Sequence, residues 1–234
     1  MKIKLLFISF FIAVNGFSQP SAEKLYDGIF PRRNPNAPDR MDRWMIDLGH
    51  SLFSEKPNNI TFKPWSHAFG VSRFLDVPLD KKSRVGFAIG LGLSFQNFYS
   101  NGQITYLIDS AGKESTALLP LTPGYEYRTN KLSLHFVELP FQLRFRSGNK
   151  HNFFFYPGFK IAYLYSSYTK IVDDITKIKV YRIRGFEEIQ YGASVHLGYN
   201  RFALWGYYSL SNLFKEKRGI ETQLINVGIS FNFF

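Results

Sequence analysis

The sequence predicts an all-β protein, an eight-stranded antiparallel transmembrane β-barrel with long extracellular loops and short periplasmic turns. From residue 43 onward, apolar residues recur at every second position, which is the period of a β-strand. The connections between these segments alternate between long and short, and the number of segments is even. The chain has 25 Phe, 14 Tyr and 3 Trp residues, which together make 18% of the sequence. Two aromatic belts at the membrane interfaces would account for this high content.

The first eighteen residues have the features of a secretory signal peptide. Lys2 and Lys4 precede a ten-residue apolar run, and the small residues Gly16 and Ser18 stand before a predicted cleavage site at Gln19. The apolar run is too short to cross a bilayer as a helix, which needs about 20 residues. We therefore expect that residues 1–18 direct export and are removed.

Residues 19–41 form a different kind of segment. Pro20, Pro31, Pro35 and Pro38 are spread among arginines, and no apolar period is present. This composition predicts an extended periplasmic tether, or an N-terminus without a role of its own, before a barrel domain over residues 42–234.

The overall charge is basic, and the chain has no cysteine. The leader carries two lysines and no acidic residue, so its removal lowers the formal net charge from +11 to +9. In an exported protein a basic charge favours contact with envelope surfaces and excludes nucleic acid as the expected partner. The lack of cysteine excludes disulfides, thiolate metal sites, cysteine nucleophiles and lipidation at cysteine.

Eight segments have strand period. In the third, the odd positions from Val85 to Phe95 are large and apolar, whereas the even positions are Gly, Ala, Ser or Gln. The predicted strands are about 42–53, 66–76, 84–97, 131–146, 152–167, 185–198, 201–212 and 221–234. The long connections are 54–65, 98–130, 168–184 and 213–220, and the short ones are 77–83, 147–151 and 199–200.

The two faces of these strands distinguish a membrane barrel from a soluble one. A secreted lipocalin-like barrel turns its apolar face inward and needs Lys, Glu and Thr outside. Here the second face is mainly Gly, Ala, Ser, Asn and Gln, which suits the crowded interior of an eight-stranded barrel. The large apolar face is then predicted to contact lipid, with strand edges closed because lipid offers no hydrogen-bond partner.

Aromatic residues are predicted at both membrane interfaces. Those expected near the periplasmic rim are Trp44, Phe153, Phe155, Tyr199, Phe202, Phe231 and Phe233. Those expected near the outer rim are Phe95, Phe98, Tyr99, Tyr163, Tyr165 and Phe186. The terminal Phe234 resembles the C-terminal signal that the outer-membrane assembly machinery binds during insertion.

One segment resembles a known family. The sequence Glu138-Leu139-Pro140-Phe141 leads into a basic strand end, a tight turn and a Pro-Gly in the next strand. This pattern resembles the PorT-like family of porin-type outer-membrane β-barrels from Gram-negative lineages that use type IX secretion, as does the end of the leader. The resemblance implies an eight-stranded barrel in the outer membrane, and it implies no particular role in secretion.

The same segment predicts a β-bulge. Leu134 and Phe136 have one parity, whereas Phe141 has the other. Because Pro140 cannot donate a ladder hydrogen bond, a one-residue change of phase is expected between residues 137 and 140. Glu138 and Pro140 are then bulge residues, and this structural role is favoured over a functional site at Glu138.

Charged and polar residues are predicted inside the barrel. Opposite charges in a narrow interior should pair, since an unpaired buried charge is costly. We expect an ionic network around Asp47 and Arg144 that plugs the lumen, with a conducting lumen as the alternative. The lumen candidates are Asp47, Arg144, Lys160, Gln142, Gln190, His135 and His196.

No enzyme, cofactor or metal site is expected. The pairs Ser133/His135 and Ser194/His196 could suggest a lipid A-modifying barrel enzyme. No acidic residue is aligned with Ser133/His135, Ser194/His196 is expected near the periplasmic end, and a serine two residues from a histidine arises easily by chance. The five histidines lack metal-ligand spacing.

The loops hold most of the charge. Lysines and arginines in 168–184 and 213–220 suggest contact with outer-membrane lipids and lipopolysaccharide phosphates, or plain solvated charge. The long, partly apolar segment 98–130 predicts a hairpin above the membrane or a contact with an envelope protein. The sequence favours a structural or interaction role, for example as an accessory subunit of an envelope machine. A narrow pore or transporter is the alternative, and a lipid A-modifying enzyme comes third.

Overall fold

The computed structural model describes residues 44–55, 59–80, 84–108, 112, 114–147, 153–216 and 219–233. These residues form eleven β-strands. They include no helix of the length and hydropathy needed to cross a membrane. The predicted leader 1–18, the tether 19–41 and Phe234 lie outside the described residues. The strands are β1 (Trp44–Phe53), β2 (His67–Pro78), β3 (Val85–Tyr99), β4 (Gly102–Ile108), β5 (Glu114–Pro120), β6 (Thr129–Arg146), β7 (Phe153–Val172), β8 (Lys177–Tyr181), β9 (Ile189–Tyr199), β10 (Phe202–Ser209) and β11 (Leu224–Phe233).

Eight of the strands close into an antiparallel barrel. The hydrogen-bonded order is β6-β3-β2-β1-β11-β10-β9-β7, and β6 also pairs with β7. The first and last strands of the chain are neighbours, with Trp44 opposite Phe233 and Phe53 opposite Leu224. Because every barrel strand has two partners, the backbone groups are satisfied without water, and the predicted all-β, eight-stranded barrel is confirmed.

The other three strands extend the long connections. Short connections join β2 to β3, β6 to β7 and β9 to β10, and we call this end of the barrel the turn end. The opposite end, here called the loop end, carries the β4–β5 hairpin between β3 and β6. It also carries β8, which pairs only with the last five residues of β7. The hairpin expected within 98–130 is therefore present.

Side chains alternate between the two faces of the wall as the sequence pattern indicates. Large apolar residues cover the outside, among them Leu143, Phe155 and Leu204 with 47%, 41% and 67% of their surface exposed. Small and polar residues line the interior, where Ser94, Gln142 and Ser230 are buried. The outer surface thus presents the apolar band that a membrane barrel needs.

The predicted bulge at Glu138 and Pro140 is wrong. Strand β6 keeps one continuous register against β3 from Lys131 to Phe145, and the residues on either side of Pro140 pair with β3 in the same register. The register shift occurs against β7, where Tyr165 is the extra residue opposite His135 and Phe136. The bulge therefore belongs to β7, and β6 does not change phase.

This correction reverses the orientation of the upper half of β6. Leu132, Leu134 and Phe136 point into the barrel and are buried. His135 points outward, in ring contact with Phe95, so its predicted lumen position is wrong.

These side chains belong to an apolar cluster, the loop-end plug, which fills the barrel at that end. Its members are Phe53, Ile60, Phe98, Leu118, Leu132, Leu134, Phe136, Ala162, Ile183, Phe186, Leu213, Phe214 and Leu224. Phe98 and Phe186 are thus core residues and not part of the outer aromatic rim.

Candidate functional site in the barrel interior

Charged side chains of the lumen are compensated in pairs. Lys160 of β7 and Glu138 of β6 are both buried, and Lys160 Nζ lies 2.9 Å from Glu138 Oε2. Ser94 of β3 donates to Glu138 Oε1 at 2.6 Å. The ammonium of Lys160 also lies over the rings of Trp205 and Tyr207, at 5.5 and 5.2 Å from their centroids. Both charges therefore have partners despite their burial.

A second group surrounds the guanidinium of Arg144, which is fully buried. It lies 3.6 Å from Asp76 Oδ2 and is stacked near the rings of Phe74 and Tyr156. Asp76 Oδ2 also accepts a hydrogen bond from Arg146 at 2.5 Å. The Asp76 carboxylate of β2 thus contacts two arginines of β6, an arrangement that the delocalised charge of guanidinium groups favours.

A third group links Asp47 to Arg144. His196 Nε2 lies 3.3 Å from Asp47 Oδ1, and its Nδ1 lies 3.4 Å from Gln142 Nε2. The Oε1 atom of Gln142 accepts from Arg144 Nε at 3.1 Å. Asp47, His196, Gln142, Arg144 and Asp76 consequently form one chain of contacts across the interior.

We call these three groups together the lumen network. Its residues are Asp47, Asp76, Ser94, Glu138, Gln142, Arg144, Arg146, Lys160 and His196. Three carboxylates face two arginines and one lysine, so the formal charges cancel when His196 is neutral. A balanced set of charges in a low-dielectric interior holds its members in fixed positions.

The structure brings together the predicted lumen residues with two exceptions, His135, which points outward, and Gln190. Gln190 lies in the lumen, but its partners are residues of the loop end. Its Oε1 accepts hydrogen bonds from Ser209 and Ser211, and its Nε2 donates to the carbonyl of Asn212. Its contacts hold the start of the β10–β11 connection.

Sequence reasoning missed three charged members of the lumen network. Asp76 and Arg146 have the same parity as their neighbours Phe74 and Arg144, and this parity could have placed them inside. Glu138 has the same parity as Gln142 and therefore faces the interior, because the bulge lies in β7 and not in β6.

Apolar layers cover the network on both sides. The loop-end plug lies beyond it toward the long connections. Toward the turn end lies a second cluster, whose members are Met45, Phe74, Ala88, Phe154, Tyr156 and Ala203. The network thus lies between two clusters of packed apolar side chains, and of its charged members Arg146 keeps 18% of its side chain exposed.

The two serine–histidine pairs lie on opposite faces of the barrel wall. Ser133 and His135 point outward, and Ser133 donates to Asn97 at 2.6 Å. Ser194 and His196 both face the packed interior, where each is buried and His196 contacts Asp47 and Gln142. Within the described ranges, no group of three His, Asp or Glu side chains could hold a metal ion.

Comparison with known families matches residues 42–215 to the outer membrane protein beta-barrel domain. The chain belongs to this outer-membrane β-barrel family. The matched region contains strands β1 to β10, including every residue of the lumen network. None of the curated proteins and none of the solved structures matches the chain. The protein is therefore an outer-membrane β-barrel protein, and its more specific role has to be argued from its own side chains.

Proposed function

We propose that this outer-membrane barrel is a closed, non-enzymatic structural and interaction protein, an accessory subunit of an envelope secretion or assembly machine. The observation that carries the proposal is the burial of the lumen. Arg144, Leu134 and Ser230 have no exposed surface, and Phe136 and Gln142 have 1%. Side chains that line a water-filled channel would be exposed to it.

The lumen network supports a closed barrel for a second reason. A channel for ions needs charged groups that contact the passing ion and release it again. Here Glu138 is bound by Lys160, and Asp76 is bound by Arg144 and Arg146. Ion passage through this region would require these buried pairs to separate, which costs several kcal/mol.

The loop end supports an interaction role. The β4–β5 hairpin turns Leu118 into the plug and is anchored by Thr116, which donates to the carbonyl of Arg184. Its other side chains include Leu107 and Ile108, with 45% and 73% of their surface exposed. An anchored hairpin with exposed apolar residues beyond the membrane is a suitable contact for an envelope protein.

Localisation completes the proposal. The lysine-containing start, the apolar run and the small residues before Gln19 support export by a cleaved signal peptide. The resemblance of residues 137–146 to PorT-like barrels supports a place in the envelope of a lineage with type IX secretion. The mature protein purified from outer membranes is expected to begin at Gln19, which mass spectrometry of the intact chain would show.

Single-channel recording in planar bilayers tests the closed barrel. We expect no stable conductance from the purified protein, because the lumen network and the loop-end plug fill the interior. A stable, large conductance would contradict the proposal and favour the narrow pore. Incubation with lipopolysaccharide is expected to leave lipid A unchanged by mass spectrometry, whereas loss of an acyl chain would favour the enzyme.

Crosslinking in native outer membranes tests the interaction role. A photo-crosslinking residue at Ile108, on the exposed side of the hairpin, is expected to give a discrete protein adduct. The control is the same residue at Leu204, which is 67% exposed on the apolar outer wall and should contact lipid. Equal adducts from both positions, or none from Ile108, would contradict an accessory role through the hairpin.

A further inference from the structure

Three lysines lie side by side on the outer wall at the loop end. Lys131 of β6 is opposite Lys170 of β7, and Lys170 is opposite Lys179 of β8. We call these three residues the lysine row. Opposed residues of antiparallel strands point to the same side, and Lys131 is itself opposite the outward Tyr99. All three ammonium groups therefore lie on the outer face, with Lys177 on the same face two residues before Lys179.

The bulge in β7 creates this arrangement. Below Tyr165, the even residues of β7 point inward, as Lys160 and Ala162 do. Above it the parity is reversed, so that Ser167 is buried and Lys170 points outward. Without the extra residue, Lys170 would point toward the lumen. The bulge thus turns the side chain outward, a common use of bulges.

The lysine row has no compensating charge in the described part of the chain. None of its three members forms an ion pair with a carboxylate there. The two nearest acidic residues in sequence are engaged elsewhere: Asp173 accepts from Tyr125, and Asp174 pairs with Arg128 at 2.8 Å. Like charges directly opposite each other destabilise a sheet, so an external anion would stabilise this one.

Hydrogen-bonding and aromatic side chains lie beside the lysine row on its membrane side. The next outward positions are Ser133, Tyr168 and Tyr181, which are also opposite one another. The ring of Tyr168 lies between two ammonium groups, 5.6 Å from Lys131 Nζ and 5.8 Å from Lys179 Nζ. Ser133 is buried and its hydroxyl donates to Asn97, which also accepts from Lys131 Nζ at 3.0 Å. The rings thus hold the ammonium groups on the outer wall, and the hydroxyl of the exposed Tyr181 lies beside them as a donor that suits a phosphate.

The height of the lysine row matches the headgroup region of a bilayer. On β6 the outward residues from Phe145 to Val137 are apolar, and polar residues begin at His135. Lys131 lies four residues beyond His135, which is roughly 9 Å along the barrel axis for a strand tilted by about 45°. Lysine side chains can bend back along the wall from this height to the headgroups.

We propose that the lysine row, with Tyr168 and Tyr181, is a binding site for the phosphate groups of an anionic lipid in the outer leaflet. The site does not depend on the closed lumen or on a protein partner. A lipid is favoured over free phosphate because the row lies at headgroup height on the same wall as the apolar band, where acyl chains would pack against Val137, Tyr163 and Tyr165.

A lipid-binding experiment on the full protein tests the site. The probe is lipid A, titrated into the barrel in neutral detergent and followed by native mass spectrometry. In the double variant Lys170→Gln/Lys179→Gln the dissociation constant is expected to rise roughly 30-fold, at about a factor of five for each lysine near a membrane surface. The matched control is Lys63→Gln/Lys215→Gln, which removes the same charge from the same end of the barrel and should change the constant little.

Two further measurements distinguish the possible outcomes. Without anionic lipid, the double variant should unfold at the same temperature as the wild type or higher, because a like-charge repulsion is removed. A lower unfolding temperature would overturn the argument from repulsion. An equal loss of lipid A binding in the control would overturn the site, and stabilisation by inorganic phosphate equal to that by lipid A would overturn a lipid as its ligand.

Discussion

Positive charges in the barrel interior are paired with carboxylates of the chain, whereas those on the outer wall at the loop end are not. Inside, Lys160 and Arg144 each have a carboxylate partner, Glu138 and Asp76 respectively. On the outer wall, the lysine row lies on three neighbouring strands with no carboxylate paired to it among the described residues. Both regions share the strands β6 and β7, so the difference is one of position and not of strand type.

The difference follows from what each region can contact. A charge in the packed interior has neither water nor external ions available, so the chain itself must supply its counter-charge. A charge at the membrane surface is in reach of solvent and headgroups, and its counter-charge need not be part of the protein. Uncompensated charge on the wall therefore leaves room for the anionic lipid proposed above, whereas paired charge in the lumen is satisfied within the chain.

The largest effect is expected from breaking the pair between Glu138 and Lys160. The variant Glu138→Ala leaves the buried ammonium of Lys160 without its carboxylate. The free energy of unfolding should fall by about 3–5 kcal/mol, which is typical of an unpaired buried charge. Urea unfolding in lipid vesicles would measure it.

A surface pair provides the matched control for this variant. Glu188 and Lys215 are 3.1 Å apart at the loop end, with 59% and 40% of their side chains exposed. The variant Glu188→Ala should lower the stability by no more than about 1 kcal/mol, because water screens the charges. Equal effects of the two variants would show that the interior is hydrated.

A smaller effect is expected from filling the crowded interior beside Trp205. A methyl group on Gly228 would overlap with the carbonyl of Leu48 on the neighbouring strand, which also accepts a hydrogen bond from Trp205 Nε1. The variant Gly228→Ala should lower the free energy of unfolding by about 1–3 kcal/mol through overpacking. The measurement is again urea unfolding.

An outward glycine tests whether crowding is specific to the interior. At Gly206 the nearest atom to an added methyl group is a side-chain carbon of Val195 at 3.7 Å, which is an ordinary contact. The variant Gly206→Ala should change stability by less than about 0.5 kcal/mol. A larger loss at Gly206 than at Gly228 would contradict a packed lumen.

The smallest effect is expected at the tip of the β7–β8 hairpin, above the membrane. The hydroxyl of Tyr125 and the groups of Thr176 that donate to Asp173 hold the pKa of this carboxyl well below its ordinary value of 3.8. A lowered pKa means that the carboxylate stabilises the tip above pH 3.8 and that this stabilisation is lost only as the pH falls further, through the folded-state pKa.

Hydrogen exchange at the hairpin tip checks this expectation. Protection of the Ile175 and Thr176 amides, which donate to Asp173, should persist at pH 4 and be reduced in Asp173→Asn. The neighbouring Asp174→Asn should leave both amides unchanged, because Asp174 contacts the exposed Arg128 instead. Equal effects of the two variants would mean that protection depends on the negative charge of the tip and not on the hydrogen bonds that Asp173 accepts.

The strand period predicted much of the fold. Because side chains alternate strictly along a strand, the positions of Asp47, Gln142 and Arg144 inside the barrel could be predicted from local parity. The alternation of long and short connections predicted the closed antiparallel order, because a short connection joins strands that are neighbours in the sheet.

The location of the bulge could not be predicted in the same way. The sequence of β6 suggests a change of phase at Pro140, but Leu134 and Phe136 are apolar because they belong to the loop-end plug. An apolar residue can face lipid or a packed interior, and its sequence pattern is identical in the two cases. The actual bulge at Tyr165 is visible only in the pairing of β7 with β6.

By itself, the sequence determined the strand class, the number of barrel strands, the lipid-facing side of most of these strands and the presence of charge inside. Only the tertiary structure decided which charges meet: Asp47 contacts His196, 149 residues away, because barrel closure brings their strands to one interior. It also decided that Lys131, Lys170 and Lys179 form one row, because the row depends on the register of three strands and on one inserted residue. Local periodicity specifies the side of the wall on which a residue lies, whereas its partners depend on long-range register.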